Sequence, residues 1–160
     1  GATPSSHRWS GLVNNTNVTI KISKESMAIN GSIFSFKKIK TFQNEYASSN
    51  DFQMGGDVYL SEKYICIEGQ RATSGTGDRY VPVYLIRLTQ TKDFPLKLPS
   101  LFNSCLGIQK TKSGNLSFFL AEYRLGTNEV EIESAGFTTY QKIIEGHARF
   151  GGAGRYGDYH

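Results

Sequence analysis

Apolar and polar residues alternate in short stretches along this chain. Val18, Ile20 and Ile22 interleave with Thr19, Lys21 and Ser23, a period of two with one wet face that predicts a half-buried strand. Asn30-Gly31 follows, the dipeptide favoured in type I′ hairpins because both central residues take positive φ. Residues 33–42 alternate again, so the expectation is a β-hairpin. Residues 43–56 are polar and end at Gly55-Gly56, which reads as a loop. Val58 and Leu60 open a further strand, interrupted at Ser61-Glu62-Lys63 and resumed through Tyr64-Ile65-Cys66-Ile67. That run is apolar on both faces and therefore belongs in the middle of a sheet.

Residues 69–78 form a long connection, and residues 80–88 are the most hydrophobic strand. Pro82 cannot donate to a ladder, which places that end at a sheet edge or a bulge. Pro95 and Pro99 break the pattern, and residues 100–107 read as one short helix between Pro99 and Gly107. Residues 116–125 form a strand turned by Gly126-Thr127-Asn128, and Glu129-Val130-Glu131-Ile132-Glu133 follows in strict alternation. For residues 136–145 the pattern leaves strand and short helix open. The reading divides the chain into a polar leader (1–16), a β-domain (17–145) and a Gly-rich tail (146–160). The predicted fold is all-β: a single-domain antiparallel β-sandwich or small β-barrel with one or two short helices.

Composition agrees with that class. The 160 residues include Phe 10, Tyr 9 and Gly 17, a mixture suited to strands and tight turns. That length supports one core of ordinary size. No apolar run approaches the roughly 18 residues of a membrane span. The net charge is +4, and residues 1–80 and 81–160 each carry nine basic and seven acidic side chains. A nucleic-acid binder concentrates its basic residues, so nucleic acid is not expected as a partner. The one dense cluster, Lys37, Lys38 and Lys40, reads as a solvated strand edge.

Cys66 and Cys105 are too few to close a metal site alone, and no paired-His spacing supplies further ligands. Paired, they suit a domain exported to the periplasm or beyond the cell; reduced and buried, they suit the cytosol. Pairing is the expectation. The Asn-x-Ser/Thr patterns at Asn14, Asn17, Asn30 and Asn115 are what an Asn-, Ser- and Thr-rich chain produces by chance.

The candidate chemistry is thin. Gly75-Thr76-Gly77-Asp78 lacks the Lys and the following helix of a phosphate loop, and reads as a hairpin loop. Asp78, Arg79 and Tyr80 at its base are well placed to touch a partner. Glu129, Glu131 and Glu133 form an acidic stripe, either the solvent face of an edge strand or a docking surface for a basic partner. His7, His147 and His160 all lie in the leader or the tail, and neither G-x-S-x-G nor H-E-x-x-H occurs. No catalytic, cofactor-binding or metal-binding residue is assigned, and no cofactor is expected. Trp9 reads as a core or barrel-end plug.

The expected function is non-enzymatic: an exported protein-binding domain, an inhibitor or immunity protein that neutralises a secreted toxin or hydrolase. A ligand- or glycan-binding module, such as a lectin or lipocalin-like carrier, is the first alternative. A small secreted enzyme or toxin is the second. Edge-to-edge homodimerisation stays open.

Overall fold

The alternating segments assemble, in a computed structural model, into stacked antiparallel sheets. It describes residues 7–13, 15–42, 45–60, 64–69, 80–87, 95–101, 103–110, 115–122, 126–135 and 146–150. Four strands form the first sheet as a meander: β1 (His7–Val13), β2 (Thr16–Ile22), β3 (Ser26–Ile29) and β4 (Ser32–Ser35). The β3–β4 turn is the expected one, with Asn30 and Gly31 both at positive φ, 50° and 86°. The Asn30 side-chain oxygen accepts the Thr19 N–H at 2.9 Å and fixes the turn against β2.

The second sheet has five strands in the order β12-β5-β6-β7-β8, formed by β5 (Gly56–Leu60), β6 (Tyr64–Gly69), β7 (Val83–Arg87), β8 (Leu96–Lys97) and β12 (Gly146–Phe150). A third comprises β9 (Gln109–Lys110), β10 (Asn115–Glu122) and β11 (Gly126–Ala135), in the order β11-β10-β9. The second sheet is the middle layer. On one face Val58, Ile67, Tyr84 and their neighbours pack against Trp9, Ile20, Met27 and Phe34 of the first sheet. On the other, Tyr59, Cys66, Val83 and Leu85 pack against Leu98, Cys105, Ile108 and Phe118. Every residue of β6 is buried, as its two apolar faces predicted. The result is an all-β sandwich. Its first two sheets also meet at both edges: β1 runs beside β12 and β5, and the Lys97 N–H donates to the Lys40 carbonyl at 2.8 Å.

Several expectations change. The strand expected over 33–42 ends at Ser35; a 3-10 turn (Phe36–Lys38) follows, because it lets Phe36 and Ile39 both enter the core. The loop at 43–56 contains a second 3-10 turn, Ser49–Phe52. The helix expected at 100–107 is only a 3-10 turn, Cys105–Gly107, and Leu101 instead bridges to Tyr80. Pro82 lies just before β7, an interior strand of its sheet, and satisfies the ladder from outside by accepting the Gly69 N–H at 2.9 Å. Two stretches read as leader and tail contain strands, since β1 pairs along the whole of β2 and β12 along the whole of β5. No helix among the described residues is long and apolar enough to cross a membrane.

The cysteines are joined: Cys66 on β6 and Cys105 on the third turn form a disulfide with a Cα–Cα distance of 5.9 Å. Beside it the Glu68 carboxylate accepts the Cys105 N–H at 2.9 Å. Covalent bond and hydrogen bond together fasten the covering segment to the middle sheet.

Candidate functional site

Residues 45–54, 80–82 and 95–101 converge at one end of the middle sheet. The Ser49–Phe52 turn is started by Ser48, whose Oγ accepts the Asn50 N–H at 3.1 Å. Phe52 anchors the turn by packing on the Tyr84 ring, centroids 5.0 Å apart. Asp51 is thereby turned away from the core and over the end of β6. Gly69 permits this approach, since a Cβ there would lie 2.0 Å from the Asp51 carbonyl oxygen.

Asp51 collects two donors on one oxygen. The Tyr84 hydroxyl donates to Oδ2 at 2.5 Å while accepting the Ser48 N–H at 3.1 Å. Lys97, opposite Tyr84 in the β7–β8 register, donates its Nζ to the same Oδ2 at 2.9 Å and to the Tyr46 carbonyl at 2.6 Å. That ammonium also sits 5.9 Å from the Tyr84 ring centroid. A buried lysine is tolerated because its charge is paired and two of its three N–H groups are hydrogen-bonded. Burial pushes the Tyr84 phenol far above its ordinary range, and the negative charge of Asp51 and the hydrogen bond to it push in the same direction. The phenol therefore stays protonated and acts as a donor.

A second carboxylate closes the other side. Glu45 accepts the Ser100 N–H with both oxygens, at 3.1 and 3.0 Å, and the Ser100 hydroxyl at 2.7 Å. The Ser100 carbonyl accepts the Val81 N–H at 3.1 Å, tying residues 80–82 to the same segment. Between these groups opens a cleft of about 420 Å³, lined by Glu45, Asn50, Asp51, Tyr80, Pro82 and Ser100. Tyr80 stands on its rim, 52% exposed.

The polar side chains that line and support this recess are bonded to one another. Asp51 is neutralised by Lys97 and held by Tyr84, and the Ser100 hydroxyl is spent on Glu45. Both carboxylates keep acceptor capacity beyond the donors they already hold. Among the described residues no three His, Cys, Asp or Glu side chains gather as a metal set.

Of the residues singled out in the sequence, Tyr80 lies on the cleft, whereas Asp78 and Arg79 lie outside the described residues. Glu129, Glu131 and Glu133 fall on β11, which ends the third sheet's strand order. The β10 register pairs Glu129 with Phe119 and Glu131 with Ser117, then shifts between Leu116↔Ile132 and Asn115↔Ala135, so Glu133 falls in the irregular stretch. Sequence reasoning missed Asp51, Tyr84, Lys97, Glu45 and Ser100. The usable signal was Leu96-Lys97-Leu98, a single lysine within an apolar segment between two prolines. A scan against protein-family models finds no match, and searches of curated proteins and of solved structures find none either.

Proposed function

We propose that this chain is an exported, non-enzymatic domain that works by binding another protein, in the manner of an inhibitor or immunity protein against a secreted toxin or hydrolase. The observation that carries the reading is Tyr80, exposed on the rim of an acidic cleft whose walls are hydrogen-bonded in place. Tyrosine contributes large, rigid contact area at low entropic cost, and a prefixed rim spares the ordering that weakens flexible interfaces. Glu45 suits a partner's Arg or Lys, and the remaining acceptor sites of Glu45 and Asp51 suit N–H donors. The disulfide supports export, since such bonds persist in oxidising compartments.

The test starts with affinity capture from the native medium or periplasm and continues with calorimetry on the captured protein. Tyr80→Ala should weaken that binding at least about tenfold, as truncation of a hot-spot tyrosine does, with the unfolding midpoint unchanged. Unaltered affinity would remove the cleft from the interface. An aromatic platform beside carboxylates and Asn50 also suits a sugar. A saturable glycan-array signal lost in Tyr80→Ala, without any retained protein, would replace the protein reading with that one.

A further inference from the structure

The segment that builds the first sheet is strongly basic. Between residues 7 and 40 there are six basic side chains (Arg8, Lys21, Lys24, Lys37, Lys38, Lys40) and one acidic, Glu25. All six are exposed. Among the described residues none of the six takes part in an ion pair.

The register arranges them. Arg8 pairs with Lys21, Lys21 with Ala28, and Ala28 with Ile33, so one row crosses all four strands on the face opposite Trp9, Ile20 and Met27. That row spans about 15 Å at ordinary strand spacing. Arg8 and Lys21 stand directly opposite each other, an arrangement that weakens a sheet unless something negative lies over it. Ile33 ends the row 72% exposed, and Leu12, on the same face of β1, is 63% exposed. Lys24 borders the face from the β2–β3 turn, and Lys37, Lys38 and Lys40 continue the positive charge past the end of β4.

We propose that this face docks on an anionic lipid bilayer as a peripheral surface. Arg8 and Lys21 on the strands, with Lys24, Lys37, Lys38 and Lys40 flanking them, match the smeared negative potential of acidic headgroups. Two projecting aliphatic side chains add the shallow apolar contact that electrostatics alone does not supply. A duplex nucleic acid would be served by the charges but not by Ile33 and Leu12, which favours the bilayer. The face is separate from the Tyr80 cleft, so the two readings stand or fall independently.

The experiment is cosedimentation of the whole chain with phosphatidylcholine vesicles containing about 30 mol% phosphatidylglycerol, and with phosphatidylcholine alone. Binding is expected only with the anionic vesicles, falling at least about tenfold between low salt and 0.5 M salt as screening shortens. The pair Arg8→Glu and Lys21→Glu should lower the partition coefficient about tenfold or more, and Ile33→Asp should lower it with less salt dependence. Lys37→Glu with Lys38→Glu, outside the strand ladders, repeats the charge test where the sheet itself is untouched. Retention that is equal on both vesicle types, or unchanged in both charge-reversed pairs, overturns the proposal. So does tight binding to duplex DNA with none to anionic vesicles.

Discussion

Replacing Tyr84 by Phe removes one oxygen from the most connected point of the cleft while leaving the packing of its ring on Phe52 and Phe36 in place. At neutral pH the lost group is a hydroxyl bonded to a carboxylate, and such bonds contribute about 1.5–3 kcal/mol. The variant should be less stable by that amount. The same oxygen also couples folding to alkaline pH. In the folded chain the phenol's proton is held far more tightly than at its ordinary value of 10.0, first because of burial and then because of Asp51. A group whose folded pKa is raised contributes stability that is complete below the unfolded pKa. That contribution is then lost as pH climbs from there toward the folded value. Above about pH 10 the unfolded chain therefore gains by releasing a proton that the folded chain retains, and stability falls by about 1.4 kcal/mol per pH unit. At pH 11 the wild type should have lost about 1.4 kcal/mol through Tyr84, and Tyr84→Phe none through that position. Urea unfolding curves at a series of pH values read the difference directly. The gap between the two proteins should narrow by that amount from neutral pH to pH 11. In parallel, ultraviolet titration of the native proteins should show one tyrosine fewer that ionises only on unfolding in the variant than in the wild type. Parallel stability profiles over the whole range would refute the assignment, whatever the size of the neutral-pH loss.

Further consequences follow from the same contacts. Gly69→Ala puts a Cβ against the Asp51 carbonyl, so the Ser49–Phe52 turn must shift; a loss of about 1–3 kcal/mol in urea unfolding is expected, and an unchanged midpoint would show that the turn yields freely. Replacing Cys66 and Cys105 together by Ala opens a 39-residue separation and should lower stability by about 4 kcal/mol from loop-closure entropy. Intact mass before and after reduction should differ by two hydrogens in the wild type and not at all in that variant. Ile67→Ala, at a fully buried position of the central strand, should lose about 2–5 kcal/mol in urea unfolding, and a loss under about 1 kcal/mol would show that the core closes around the gap.

The strands that could be read in advance are those whose two faces differ, or agree, without exception. In β2 the buried Val18, Ile20 and Ile22 alternate with more accessible neighbours. In β6 apolar residues on both faces announced a strand covered on both sides. β1 was missed because its pattern is corrupted at two points. Gly11 stands where a large inward residue would be expected, and a Cβ there would lie 3.0 Å from the Trp9 ring, so the indole takes the space. Leu12, apolar, points outward. β12 was missed because Gly146 and the glycines after Phe150 suggested a flexible end; its pairing with β5 is a long-range event with no local trace. The cleft was hidden for the same reason. Asp51 meets Tyr84 across 33 positions and Lys97 across 46, and Glu45 meets Ser100 across 55.

Charge shows how the choice of boundary decides what a sequence reveals. Cut at residue 80, the chain looks balanced, with nine basic and seven acidic side chains on each side. That boundary falls between β6 and β7, adjacent strands of one sheet, and so averages two different surfaces. Cut at residue 40, where the first sheet has ended, six basic and one acidic residue stand on one side. The remaining 120 residues then hold twelve basic and thirteen acidic. The mild overall charge is thus the sum of a strongly positive segment, which builds the first sheet and its flanking turns, and a nearly neutral remainder. Only the fold supplies the division that separates them, because a net charge acts on a partner through the face that carries it rather than through the chain total.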